Sequence, residues 1–230
     1  MTKTGLLKKG TALLFLTFAM GATAFAANNS NLTQSITSGT LAADILDASR
    51  VAVGSPSAAL SSKTFSFDCQ HTGNASTGAL GSASQRLYIM NPDAADNGWT
   101  LSIAATGGAT TRWANGGATQ FFDFNDPTGT NPGCTDGGDA DNSAGQITVD
   151  ANAGTLTADC GSCVTTNVTK GSSAAFNQGT TDSVTLLNAA AASNDIWRGY
   201  LTGATLSQTI PAEQVPDNYT LNLTLTSTAL

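Results

Sequence analysis

Short runs in which apolar and polar side chains alternate recur along most of the chain. In the clearest run, 99–103, the side chains of Trp99, Leu101 and Ile103 fall on one side. A period of two is typical of a strand with one buried face, and apolar stripes with helical spacing are scarce here. The same pattern predicts strands at 64–68 (with Phe65 and Phe67 on one face), 86–90, 146–149, 183–187, 201–210 and 219–226.

Gly, Asn, Asp and Pro bound these segments, as they do in the turns of antiparallel sheets. At least seven short strands without a linker or a composition break between them predict a single antiparallel β-sandwich over 27–230. The stretch 115–141 is different, because it is rich in Gly and Asp and nearly without aliphatic residues. A loop of that length is uncommon in a compact domain unless something orders it. We therefore expect an all-β domain with one long acidic loop.

The first 26 residues have the pattern of a cleaved signal peptide. Lys3, Lys8 and Lys9 precede an apolar run at 11–20, and small residues at 24–26 match an A-x-A cleavage site. The apolar run is roughly half of the ~20 residues that span a bilayer. We expect cleavage after Ala26 and secretion of 27–230 to the cell surface without a membrane-spanning segment. Attachment there would be non-covalent or through assembly.

The charge of the secreted part argues against one class of partner. Without 1–26, six basic residues remain against sixteen acidic ones, which gives a formal charge of −10. Nucleic acid is bound through Lys and Arg, so it is not an expected partner. Fifteen of the acids are Asp and one is Glu213. Asp favours turns and cation-binding loops, which fits a loop-rich β-domain.

Four cysteines, Cys69, Cys134, Cys160 and Cys163, lie in the expected secreted part. An even number in an exported chain predicts two disulfides, for which three connectivities exist. Proximity in the sequence favours Cys160–Cys163 together with Cys69–Cys134. Zinc is the alternative, but only one C-x-x-C pair has a familiar spacing.

The acidic loop carries the oxygen ligands that calcium prefers. Asp, Asn and Ser spaced by one residue, with Gly nearby, can curl around a calcium ion. A solvated acidic turn is the alternative, since turns use the same residue types. The candidate ligands of a structural calcium are Asp123, Asn125, Asp126, Asp136, Asp139 and Asp141.

No motif for catalysis stands out. His71 is the one histidine, and neither G-x-S-x-G nor H-E-x-x-H occurs. We therefore expect a binding or structural protein and no enzyme. Aromatic side chains are the candidate ligand contacts. Trp99 heads an alternating strand and is expected in the core, whereas Trp113 and Trp197 lie in Gly/Asn/Asp-rich stretches and are expected to be exposed.

Two stretches resemble the WxL domain, a family of secreted bacterial surface proteins that generally attach non-covalently to peptidoglycan. Residues 97–102, Asn-Gly-Trp-Thr-Leu-Ser, resemble its first Trp-x-Leu motif, and 206–213 with 219–226 resemble its closing strand. Leu225 stands where the second motif has Trp, and Ser227 where it has Leu. The resemblance implies a β-sandwich that binds a cell-wall glycan or a neighbouring surface protein, or that mediates adhesion.

The beginning of the secreted part resembles a second family. Residues 31–45 are similar to the N-terminal segment of camelysin-type biofilm fibre subunits, which lend a strand to the sheet of a neighbouring subunit. This resemblance implies an alternative function, self-assembly into an extracellular fibre or surface layer by strand exchange through 28–46. An ordinary first strand of the sandwich would have the same pattern.

Overall fold

The structure is a computed structural model that describes residues 33–93, 97–127, 133–137, 141–191 and 196–230. The expected signal segment 1–26 and Asp139 lie outside the described residues. Every strand belongs to one compact unit, Thr37–Leu230; the second unit is Met1–Ile36. No helix in the described part of the chain is long and apolar enough to cross a membrane.

The described residues form β-strands and no α-helix, and every strand pairing is antiparallel. The strands are β1 Ala42–Leu46, β2 Ser76–Leu80, β3 Arg86–Asn91, β4 Trp99–Ala105, β5 Trp113–Asn115, β6 Phe121–Phe122, β7 Gln146–Asp150, β8 Thr155–Ala158, β9 Val168–Lys170, β10 Ala174–Ala175, β11 Ser183–Ala189, β12 Trp197–Thr202, β13 Ala204–Thr209, β14 Tyr219–Thr220 and β15 Leu223–Ala229.

These strands form four sheets. Sheet I has the order β1-β3-β12-β8, sheet II β10-β7-β13-β2, sheet III β15-β4-β11-β9 and sheet IV β14-β5-β6. Apolar side chains of sheets I, II and III pack into one shared core, which includes Leu87, Leu101 and Val149. The predicted all-β sandwich is confirmed.

Sheets I and II meet at two adjacent bends of the chain. β2 leads to β3 through Gly81, and β12 leads to β13 through Gly203. Both glycines have positive φ, +79° and +72°, which residues with a side chain rarely adopt. The N–H of Gly203 donates to the carbonyl of Gly81 at 3.0 Å, so the two bends are joined. Such corners let one set of strands contribute to two sheets around a single core.

Most of the predicted strands are present. The segments 86–90, 99–103, 146–149 and 183–187 lie in β3, β4, β7 and β11, and 201–210 is divided between β12 and β13. The segment 219–226 is divided between β14 and β15, and its alternate residues share a half-buried side as expected.

The strand predicted at 64–68 is wrong. This segment pairs with no strand, and Phe65 and Phe67 are 43% and 76% exposed. Their rings contact each other edge to face, with centroids 5.0 Å apart. Alternation of apolar and polar side chains reports a preferred backbone conformation, but it cannot show that a neighbouring strand is there to pair with.

Both favoured disulfides are confirmed. Cys69 bonds to Cys134, 65 residues later, and Cys160 bonds to Cys163. The first cross-link joins the acidic stretch to the segment that precedes β2. It closes a long loop of the chain, and such cross-links stabilise by restricting the unfolded state.

A carboxylate clamp holds the β1–β2 connection on the outer face of sheet I. Arg50 donates from Nε and Nη2 to the two oxygens of Asp159, at 2.7 and 2.9 Å. The Tyr88 hydroxyl donates to the same carboxylate at 2.8 Å, and Arg198 Nε donates to the Asp159 carbonyl at 2.7 Å. The hydrogen bonds from Arg50, more than any other interaction, lower the pKa of Asp159 to about 2.

We predict that Asp159→Asn makes the free energy of unfolding less dependent on pH below about pH 4. The lowered pKa means that the clamp stabilises the fold fully above about pH 4 and is lost as the pH falls towards 2. The variant should lose on the order of 1–2 kcal/mol of unfolding free energy at neutral pH and little at pH 2. Urea unfolding at several pH values measures this. Asp44→Asn, on the same sheet, is the control, and an unchanged pH profile in Asp159→Asn would refute the clamp.

Candidate functional site

The three tryptophans lie in different environments. Trp99 and Trp197 are 0% and 1% exposed, and their rings lie 5.3 Å apart between sheets III and I. The core position expected for Trp99 is confirmed, and the exposed position expected for Trp197 is wrong. Trp197 begins β12 on its inward face, although its polar neighbours in the sequence suggested a surface loop. Trp113 is half-buried and lines a pocket.

Sheet IV places three aromatic rings side by side. Trp113 in β5 is paired directly with Phe122 in β6, and the rings stack at 5.6 Å with 11° between their planes. Tyr219 in β14 meets Phe122 edge to face, with centroids 4.9 Å apart. The Tyr219 hydroxyl accepts from Gln214 Nε2 and donates to the Val215 carbonyl, both at 2.7 Å, so this ring is held from both sides.

These rings form one wall of an open pocket of about 330 Å³, named here the aromatic pocket. The extended segment 58–66, which includes Phe65, forms another wall, and 210–219 forms a third. The lining mixes aromatic rings with amide side chains, which include Gln70, Gln208 and Gln214. Apolar walls with a few polar groups are characteristic of ligand pockets.

Gln208 fixes the position of Trp113. Its side chain is 1% exposed, its Oε1 accepts from Trp113 Nε1 at 2.8 Å, and its Nε2 donates to the carbonyls of Asp123 and Thr209 at 3.0 and 2.8 Å. The indole N–H is therefore already used within the protein. Trp113 offers a ligand its ring and no hydrogen-bond donor.

Gln70 supplies an acceptor in the pocket wall. The residue is 5% exposed, its Nε2 donates to the Thr64 carbonyl at 2.7 Å, and its backbone pairs with Ile210. Among the described residues, none donates to Gln70 Oε1. A ligand donor such as a hydroxyl or an amide N–H can use this oxygen.

Only two charged side chains, Lys63 and Asp217, are among the described lining residues. Asp217 accepts from Asn115 Nδ2 at 2.8 Å and from the backbone N–H of Asn218 at 2.7 Å. These hydrogen bonds, with that from Asn115 as the larger contribution, hold the pKa of Asp217 below its ordinary value. The pocket therefore pairs aromatic surface with mostly neutral polar groups.

The residues named for calcium lie in different environments in the described part of the acidic stretch. Asp123, Asn125 and Asp126 are buried, whereas Asp136 is exposed and Asp141 forms an ion pair with Arg112 at 3.0 Å. No three His, Cys, Asp or Glu side chains among the described residues could together hold a metal ion. Calcium binding stays a prediction from the sequence, and Asp139 lies outside the described residues.

Sequence reasoning missed most of the aromatic pocket. Of its wall, only Trp113 was among the predicted ligand contacts. Phe65 was placed on a strand, and Tyr219 was interpreted only as part of the closing strand. Gln70 and Gln208 had no signal in the sequence, because a glutamine side chain is usually exposed to solvent.

We predict that Gln208→Leu lowers the unfolding free energy by about 1–3 kcal/mol, because it leaves the Trp113 N–H and the Asp123 carbonyl without their partner. Urea unfolding followed by tryptophan fluorescence measures both the loss of stability and the changed surroundings of the indole. The control is Gln214→Leu, which removes one hydrogen bond at the more exposed Tyr219 hydroxyl. Equal effects of the two variants would contradict the role of Gln208.

No protein-family model, no curated protein and no solved structure matches the chain. The resemblances to the WxL domain and to camelysin-type subunits therefore stay hypotheses from the sequence.

Proposed function

We propose that the chain is a secreted, non-catalytic surface protein that binds a glycan in the aromatic pocket. Binding would serve non-covalent attachment to the cell wall or adhesion to another surface. The observation that carries the proposal is the arrangement of Trp113, Phe122 and Tyr219 beside the amides of Gln70 and Gln214 in one open cavity.

The chemistry of a sugar ring matches this arrangement. A pyranose has C–H faces, which pack against aromatic rings, and hydroxyl edges, which need donors and acceptors in fixed positions. The partly exposed rings of Trp113 and Tyr219 supply the first requirement, and the buried Phe122 ring packs against both of them. The Oε1 of Gln70 supplies an acceptor that the fold itself holds in place through the Thr64 carbonyl and the Ile210 backbone.

The size of the aromatic pocket favours a short glycan segment. Its volume of about 330 Å³ lies at the low end of the roughly 300–1,000 Å³ that ligand pockets span. We therefore expect one or two sugar units inside the pocket, with any further units outside it.

The lining supports binding more than hydrolysis. Glycosidases generally place two carboxyl groups about 5–10 Å apart, and one of them needs a raised pKa to act as an acid. The described lining supplies one carboxyl group, Asp217, and its pKa is lowered. Trp99 is 0% exposed and lies outside the lining, so it makes no ligand contact.

We predict that Trp113→Ala weakens glycan binding by at least tenfold, because it removes the main ring of the pocket wall. The measurement is binding of the purified chain to a glycan array and its co-sedimentation with peptidoglycan sacculi. Phe67→Ala is the matched control, since Phe67 is 76% exposed and lies outside the pocket.

A second variant separates loss of binding from loss of folding. Ser62→Trp adds a large side chain at an exposed position of the pocket wall and removes nothing from the core. It should block binding while circular dichroism stays unchanged. No binding by the unaltered chain to any glycan or sacculus preparation would refute the proposal.

Fibre assembly is the second candidate function, and one observation favours it. β15 is a seven-residue edge strand, Leu223–Ala229, without a charged residue or proline, the features that usually protect an edge from pairing. Residues 33–41 belong to no strand and could supply a partner for it. Exchange through the whole of 28–46 has less support, because β1 already pairs with β3 of its own chain.

For this candidate we predict filaments in electron micrographs of the purified chain. Thr226→Lys should abolish them, because a charge on the exposed face of β15 opposes edge pairing. Thr169→Lys, at an exposed position of β9, is the control. A chain that stays monomeric at high concentration would contradict assembly.

A further inference from the structure

A second cavity of about 160 Å³ lies among sheets I, II and III and is named here the apolar cleft. Its floor belongs to the core, because Leu87, Ile103 and Ile147 line it and are 1%, 3% and 1% exposed. Its rim is formed in part by half-buried leucines of and beside the edge strand β15, Leu221, Leu223 and Leu225. The cleft is thus a place where the core can be reached from the surface.

The apolar cleft and the aromatic pocket adjoin. Ala58, Leu60 and Trp113 line both cavities, so the two share a wall at the Trp113 ring. One cavity offers aromatic rings and amides, and the other offers mainly aliphatic side chains. Side by side, they present a polar compartment and an apolar compartment to one ligand.

We infer that the two cavities bind an amphiphile, with a saccharide end in the aromatic pocket and an aliphatic chain in the apolar cleft. The inference of a saccharide end rests on the proposed function, whereas the inference of an aliphatic chain rests on the apolar cleft alone. A ligand of this class is a glycan that carries an alkyl or acyl group.

The volume of the apolar cleft limits the length of the ligand's aliphatic chain. An apolar cavity of about 150 Å³ holds a molecule of about six carbon atoms. The cleft, at about 160 Å³, therefore suits an aliphatic chain of similar size. Each methylene that moves from water into such a cleft tightens binding by up to about fourfold. An aliphatic chain of more than six carbons gains little further affinity, because its additional methylenes stay outside the cleft.

The alternative occupant is a strand from a second copy. A strand would pair along the whole of β15 and place side chains over its full length. The cleft reaches only Leu223 and Leu225 of that strand, and its volume is close to that of one short chain. The wall that the cleft shares with the aromatic pocket also favours a ligand that reaches both cavities.

The experiment measures binding of methyl and hexyl β-glycosides, with glucose, galactose and N-acetylglucosamine as the sugars, by calorimetry below micelle-forming concentrations. 1-Hexanol is the probe without a sugar. For at least one sugar, the hexyl glycoside should bind at least tenfold more tightly than the methyl glycoside.

Leu225→Phe should remove that difference while affinity for the methyl glycoside is unchanged, because Leu225 lines the cleft and not the aromatic pocket. Thr226→Phe, on the exposed face of the same strand, is the matched control and should retain the difference in affinity between hexyl and methyl glycosides. Leu223→Phe repeats the test should Leu225→Phe fail to fold.

The outcomes separate the inference from the proposed function. Equal affinities of methyl and hexyl glycosides would overturn the inference and leave glycan binding intact. Binding of 1-hexanol without binding of any glycoside would overturn both the proposed function and the joint ligand. Loss of self-association in Leu225→Phe, without an effect on hexyl glycosides, would assign the cleft to a second copy and overturn the inference.

Discussion

The contact of Trp99 with Trp197 is the interaction on which the arrangement of the sheets depends. Trp99 begins β4 in sheet III, Trp197 begins β12 in sheet I, and the two largest fully buried side chains meet between them. Aromatic rings of this size contribute a large share of the apolar surface that a core removes from water. β12 continues into β13, so the strand that carries Trp197 leads directly into sheet II.

The aromatic pocket is built outside this core but depends on it. Sheet IV has three very short strands, and isolated strands of that length do not hold their geometry. Gln208 in β13 supplies the missing rigidity, since its amide joins the Trp113 indole to sheet II. A surface site is thereby held by a buried hydrogen-bond partner, which is the arrangement that binding geometry requires.

The residues that resemble the WxL domain lie in the core and beside the two cavities. The Trp-x-Leu motif at Trp99 and Leu101 is entirely buried, so in this chain it acts in packing. The segment 219–226 contributes to both cavities, because Tyr219 lines the aromatic pocket and Leu225 lines the rim of the apolar cleft. The part of the chain that carries the resemblance thus borders both cavities.

What the sequence determined by itself is local. Period-two alternation identified the longer core strands, such as β3, β4, β7 and β11, since the side of a strand that faces the core must be apolar wherever the core lies. The number and spacing of the cysteines also led to the disulfides. Neighbouring residues could not show that Trp197 is buried or that Phe65 and Phe67 lack a strand partner, because both depend on what packs against them. Only the tertiary structure brought Phe65, Gln70, Trp113, Gln208 and Tyr219 around one cavity, because residues so far apart in the chain meet only through the pairing of strands.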